Sequence, residues 1–402
     1  MRISTQMMHS SGLAGVTKGS NDLLRLQIQL GSGRRINSPA DDPIGAAKAV
    51  TFVDAKALND QIATNQRTAE SKLRLAESRL GDAGDAIQDV REQLVRAGSA
   101  ALSRNDRLAM ASDLRQMKAR LLDVANSRDS EGSYIFSGNR EATQPFSVIA
   151  AGTVYQGDDG RQTLQVSQGR TMTVSENGAE IFQRARAGNG AFAVTPAGTN
   201  NGTAIVGAGS VYDQTLITNQ NYAINFTVVG TTITYDVVNT TTAATIILGA
   251  AYTDGQSIRF EGIEIPFTGR PANGDVVTIA PSPNRSVFDT IESAILTIEQ
   301  GHATPAQATR YQNSLRVAMS NLDMALDQTL GVRASMGASL VELDGTKEMT
   351  LSRDTQIRTD LSNVRDLDYA KAASDYLRTQ QALEAAQRAY SQNARQSLFD
   401  FL

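Results

Sequence analysis

The sequence predicts a mainly α fold: a long antiparallel helical coiled-coil rod formed by N- and C-terminal segments, carrying β-hairpins and a small inserted antiparallel β-domain. Three observations predict it. The nine prolines leave two long reaches free, 44–144 and 306–402, where long helices can exist. Both reaches carry apolar seams with 3-4 spacing. Between them the composition turns to threonine, glycine and alternating apolar residues.

The first element is a terminal helix that stops at "LGSGRRINSPADDPIGAAKAV", residues 30–50. This stretch reads as helix stop, turn and helix start. Gly31 and Gly33 end the helix and permit positive φ. Arg34, Arg35 and Ile36 follow, and Asn37 and Ser38 are turn formers. Asp42 can cap the next helix, with Pro43 at its first position and Asp41 at the positive end of its dipole. The segment is expected to be a rigid spoke between a terminal helix and the rod. Its arginines are expected to pair with carboxylates of the chain or of a neighbour.

The next helix holds Ile62, Ala69, Ala76, Ala83, Val90 and Ala97 at one seam position. Gln66, Leu73, Leu80, Ile87, Leu94 and Ala101 hold the other. Alanine facing leucine favours close approach of helices. "LSRNDRLAM" breaks the seam, with Ser103 or Asn105 as the cap of a further helix carrying Leu108, Leu114, Met117, Leu121 and Val124. At the other end Leu315, Met319, Leu322, Leu326, Thr329, Met336, Leu340 and Leu343 mirror the seam, followed by Ile357, Leu361, Val364 and Leu367. The rod core is expected at Leu73, Leu80, Ile87, Leu94, Leu322 and Leu326.

Residues 134–182 read as strands and tight turns: "YIFSG", "VYQGDDGRQTLQV" and "GRTMTVSENGAEIF", with "GDDG" and "ENG" as hairpin turns. Residues 189–288 hold sixteen threonines, eleven glycines and no lysine. "AINFTVVGTTITYDVV" and "SIRFEGIEIPF" point to the antiparallel β-domain. Ser286 or Asp289 caps the returning helix. The expected domains are 1–45 with 358–402, 46–182 with 286–357, and an outer β-domain at 183–285.

Function classes narrow by composition. A net charge of -4 gives no case for nucleic acid or an anionic membrane surface. Cysteine and tryptophan are absent, and no aromatic residue falls between Phe52 and Tyr134. Thin helical packing of small aliphatics needs few rings, and a chain exported unfolded avoids thiol cross-links. The start has no h-region or cleavage site, and no run approaches the roughly 18 apolar residues of a membrane span. His9 and His302 stand apart, each without a second ligand at helical spacing, so no metal or cofactor is expected. No nucleophile or phosphate-loop motif occurs, and no catalytic activity is expected. Asn201, Asn225 and Asn239 begin chance sequons. The last residues, Leu398, Phe399, Phe401 and Leu402, are apolar and expected to dock, on the chain's own body or between subunits.

"SGRRINSPADDPIGAAKA" resembles the flagellin-family signature. "MRISTQMMHSSGLAGV" and the C-terminal helix fit the same pattern, over about residues 1–182 and 286–402. "MRIST", the proline of "DDPIGAA", and the ending "DLDYAKAASDYLRTQQALEAAQRAYSQNARQSLFDFL" are similar to the branch at the hook–filament junction rather than to filament flagellins. The resemblance implies a flagellin-like fold and a structural role in the bacterial flagellum, outside the cell. Its implied partners are hook-associated protein 1, flagellin, further copies in a ring and an export chaperone of the flagellar type III apparatus. It also implies terminal helices that are disordered alone and pair on assembly, with Leu383 and the apolar C-terminus between subunits. A filament flagellin, or a glycan- or receptor-binding β-domain, are the alternatives.

Overall fold

The computed structural model describes residues 5–99, 102–150 and 152–395. Contacts divide the chain into two compact units. One is made of the two chain ends, up to Asn65 and from Gly345; the other runs from Gln66 to Asp344.

In the unit of chain ends, α1 (Thr5–Ser32) leads through the turn into α2 (Pro43–Ala97). The last helices, α6 (Pro305–Arg365) and α7 (Tyr369–Arg395), complete it. Helices α1 and α7 pack side by side. The terminal helices that the family resemblance implies are thus paired within one chain, over Thr5–Ser32 and Tyr369–Arg395.

The second unit is built on helices α2, α3 (Arg104–Ala125), α5 (Val287–Gln300) and α6. Their apolar faces form one core that includes Leu73, Leu80, Ile87, Leu94, Leu114, Ile291, Leu315 and Leu322. Leu80 and Leu94 are fully buried, whereas Leu326 is partly buried against the same core. Both seam positions of α2 are buried from Ile62 to Ala97; Ala101 lies outside the described residues. The polar seam residue Gln66 is buried with its amide donating to the Val166 carbonyl at 2.7 Å, which removes the penalty of an unpaired polar group. Ser103 caps α3 in a capping box with Asp106, Ser286 caps α5, and the Thr304 hydroxyl accepts from the Gln307 amide at the start of α6.

Two small hairpins lie beside these helices: β1 (Phe146–Ile149) with β2 (Gly152–Tyr155), and β3 (Thr163–Ser167) with β4 (Arg170–Thr173). Several local expectations are corrected here. "YIFSG" forms only isolated bridges at Tyr134 and Ser137, because Phe136 is drawn into a ring cluster with Phe146, Phe182 and Phe288. "GDDG" is no hairpin turn. It joins β2 to β3, which do not pair, and the Asp158 carboxylate folds it by accepting from the Asn139 and Gly160 amides. The Tyr155 hydroxyl bonds the Phe136 and Asp158 carbonyls, and burial pushes its pKa up to about 12. "ENG" is a helix start: Asn177 caps α4 (Gly178–Phe182), so "AEIF" is helical.

The chain enters the β-domain at β5 (Ala185–Arg186) and leaves at β15 (Asn284–Arg285), which pair with each other. Between them lie β6 (Phe192–Pro196), β7 (Ile205–Val206), β8 (Ser210–Val211), β9 (Tyr222–Val229), β10 (Thr232–Asn239), β11 (Ala244–Ala251), β12 (Ser257–Phe260), β13 (Ile263–Thr268) and β14 (Val276–Pro281). One antiparallel sheet has the order β11-β10-β9-β14-β6; in another, β13 pairs with β12, β7 and β8. Period-2 alternation puts Ile224, Phe226, Val237, Ile258, Ile265 and Phe267 in a shared core. The β9–β10 and β12–β13 hairpins match the two alternating runs of the sequence.

Candidate assembly site at the chain ends

The spoke is a short, heavily bonded turn against the end of α6. Helix α1 runs through Gly31 to Ser32, so Gly31 is helical and only Gly33, at φ 70°, takes the left-handed conformation. The Gly33 carbonyl accepts from the Leu367 amide at 3.0 Å, and the Arg35 amide donates to the Arg365 carbonyl at 2.7 Å. Arg34 and Asp366 sit between these bonds as an antiparallel bridge. The turn thus joins the C-terminal half of the chain as a tiny strand pair.

Its two arginines diverge. The Arg35 guanidinium, though partly exposed, is held, donating to the Val364 carbonyl at 2.6 Å and to Asp42 Oδ2 at 3.1 Å. The Arg34 side chain is exposed. The acids diverge as well. Asp42 caps α2 by accepting from the Gly45 amide at 2.9 Å. That bond first, and Arg35 second, hold its carboxyl below the usual carboxylate range. Asp41 does not serve the helix dipole. Its carboxylate accepts from the Asn37 and Ser38 amides and closes the turn. Ile36 is buried, and a Cβ on Gly45 would stand 2.6 Å from its Cδ1. Pro43 opens α2 without an amide to leave unpaired.

Sequence reasoning missed the other half of this site. Val364, Arg365 and Leu367 contribute backbone groups, which no side-chain pattern reveals. It also missed the glycines of the α1–α7 pair. A Cβ on Gly12 would stand 2.8 Å from the Tyr390 ring, and one on Gly19 would stand 3.2 Å from Leu383. Their seven-residue separation was the available signal. Leu383 therefore faces α1 of its own chain. Leu398, Phe399, Phe401 and Leu402 lie outside the described residues. His9 stacks edge-on with Tyr390 and His302 with Tyr311, and no cluster suited to a metal ion occurs among the described residues.

Among the described residues, the unit of chain ends has little core: those of its hydrophobic residues that are buried are Ile36, Ile62, Ile357, Leu361 and Ala372, and none belongs to either core cluster. Meanwhile Met7, Leu13, Leu24 and Ile28 of α1, and Leu377 of α7, are more than half exposed. Apolar residues exposed along a helix pair make it a candidate association surface.

Residues 3–141 match the bacterial flagellin N-terminal helical region. Flagellar hook-associated protein 3 of Salmonella typhimurium is 40% identical over 182 residues, which is 45% of this chain and 57% of that protein. The alignment thus spans little more than half of that curated relative. The crystal structure of hook-associated protein 3 from Legionella pneumophila superposes with a TM-score of 0.75 at 29% identity, covering 78% of this chain and 98% of that one. A second structure, the flagellar junction protein FlgL from the same organism, gives 0.71 at 28% identity, over 79% of this chain and 100% of that one. The chain resembles hook-associated protein 3, in the flagellin family. It shares that protein's fold: long N- and C-terminal helices with an inserted antiparallel β-domain.

Proposed function

We propose that this chain is a structural component of the bacterial flagellum, an adaptor at the junction between hook and filament. The observation that carries the proposal is how little core the described residues of the chain ends have. Paired α1 and α7 leave Leu13, Leu24 and Ile28 to solvent, and further copies supply the surface that covers them. The names of hook-associated protein 3 and of the flagellar junction protein FlgL support the place.

In this reading residues 1–45 and 358–402 form the inner assembly domain. Residues 46–182 and 286–357 form the rod, and 183–285 project as the outer domain. The copies form a ring with hook-associated protein 1 on one side and flagellin on the other. Arg34, exposed beside a turn that Arg35 and Asp42 hold closed, is available to a neighbour's carboxylate. The chain reaches this place through the flagellar type III apparatus, held by an export chaperone on the way. The role is structural and involves no catalytic step.

Deleting the gene tests the reading. Hooks should remain while flagellin monomers appear in the medium, and re-expression should restore filaments. Normal filaments in the deletion strain, or filaments made wholly of this chain, would overturn it.

A further inference from the structure

Between β6 of the β-domain and helices α5 and α6 lies a cavity of about 210 Å³. A smaller lobe of about 90 Å³ continues it, sharing Pro196, Val206 and Val317. We propose that this crevice binds a small organic anion, a carboxylate on a short aliphatic or aromatic body.

The walls are partly apolar: Phe226, Phe267 and Val277 face Ala294, Val317 and Ala318, among threonine, serine and asparagine side chains. An apolar cavity of roughly 150 Å³ is enough to hold a benzene ring. The polar groups that join the β-domain to α6 are already committed. The Asn313 amide accepts from the Val206 amide and donates to the Ala204 carbonyl. Asn321 accepts from the Gly188 amide.

Three arginines are the exception. Arg285 and Arg310 line the main cavity and Arg316 the smaller lobe. Arg285 makes one long contact, 3.4 Å to the Ser293 hydroxyl, and Arg310 one bond to the Gly198 carbonyl at 2.7 Å. A guanidinium has five N–H donors, so most stay available. The carboxylate in the lining is Asp275. It is buried and accepts from the Asn201, Gly202 and Ala272 amides at 2.8, 3.0 and 2.9 Å. Its oxygens are thus turned to the backbone, and three guanidinium groups outnumber it. Partly apolar walls with an excess of guanidinium groups, Arg310 half-buried and Arg285 and Arg316 exposed at the rim, select an apolar body bearing a negative charge. Such a ligand touches the β-domain and both helices at once, so it stiffens their joint.

The test uses the full-length chain with hexanoate and phenylacetate as probes, and hexanol and hexylamine as neutral and cationic controls. Saturation-transfer NMR titrations give affinities, and thermal melts report stabilisation by binding to the folded state. Both carboxylates should bind saturably, at least tenfold more tightly than hexanol, with no binding of hexylamine. Arg310→Gln should weaken the carboxylates at least fivefold and leave hexanol unchanged. Val317→Phe, which fills the cavity, should abolish binding of every probe. Absence of saturable carboxylate binding, equal affinity for hexanol, or an unaltered Arg310→Gln, Arg285→Gln double variant would each overturn the proposal. The arginine variants decide it alone if Val317→Phe does not fold by circular dichroism.

Discussion

The phenol oxygen of Tyr369 lies 2.7 Å from the place where a Cβ on Gly33 would stand. Gly33 also holds φ 70°, which costs other residues about 1–2 kcal/mol. Gly33→Ala therefore meets a conformational penalty and a steric one. It should speed hydrogen exchange at the Leu367 and Arg35 amides, which bond across this turn, and reduce assembly. Unchanged exchange at both amides would show that the turn tolerates a side chain.

Asp42 gives a pH dependence with a definite sign. Its folded-state pKa lies below the unfolded value, near 3.9, through the Gly45 amide and Arg35. Its contribution is present above the unfolded pKa and is lost as pH falls through the folded one. Protection of the Gly45 amide should fall below about pH 4. In Asp42→Asn that acid-dependent step should be absent.

Burial separates two leucines that look alike in sequence. Leu80 is fully buried and Leu24 is 56% exposed. Leu80→Ala should lower stability by about 2–5 kcal/mol, read from denaturant unfolding. Leu24→Ser should change it by under about 0.5 kcal/mol yet impair assembly at the junction, read as flagellin monomers released into the medium. Equal effects of the two on unfolding would contradict the division into a unit with much core and one with little.

The glycines of α1 differ in the same way. Gly12 faces the Tyr390 ring, whereas a Cβ on Gly15 would have nothing within 4 Å. Gly12→Val should loosen the α1–α7 pair and raise exchange along α1. Gly15→Ala should stabilise the helix by about 0.5–1 kcal/mol. Matching behaviour of the two variants would show that Tyr390 does not fix the register.

The helices and the turn chemistry of residues 30–50 were legible in the sequence because both are local. A helix bonds each residue to its fourth neighbour, so the run from Ile62 to Ala97 announces its buried face by spacing alone. The β9–β10 hairpin was legible for the same reason, since Gly230 joins adjacent alternating runs. "YIFSG" and "GDDG" were not, because their partners, the Phe182 and Phe288 rings and the Asn139 amide, come from elsewhere in the chain.

The sequence by itself determined where the long helices run, that glycine, aspartate and proline turn the chain between α1 and α2, and that a β-domain interrupts the helical halves. Only the tertiary structure decided which arginine is held and which is free. That choice depends on the carbonyl of Val364, 329 residues away from Arg35, and a backbone oxygen is the same atom at every position until folding places one of them beside the turn.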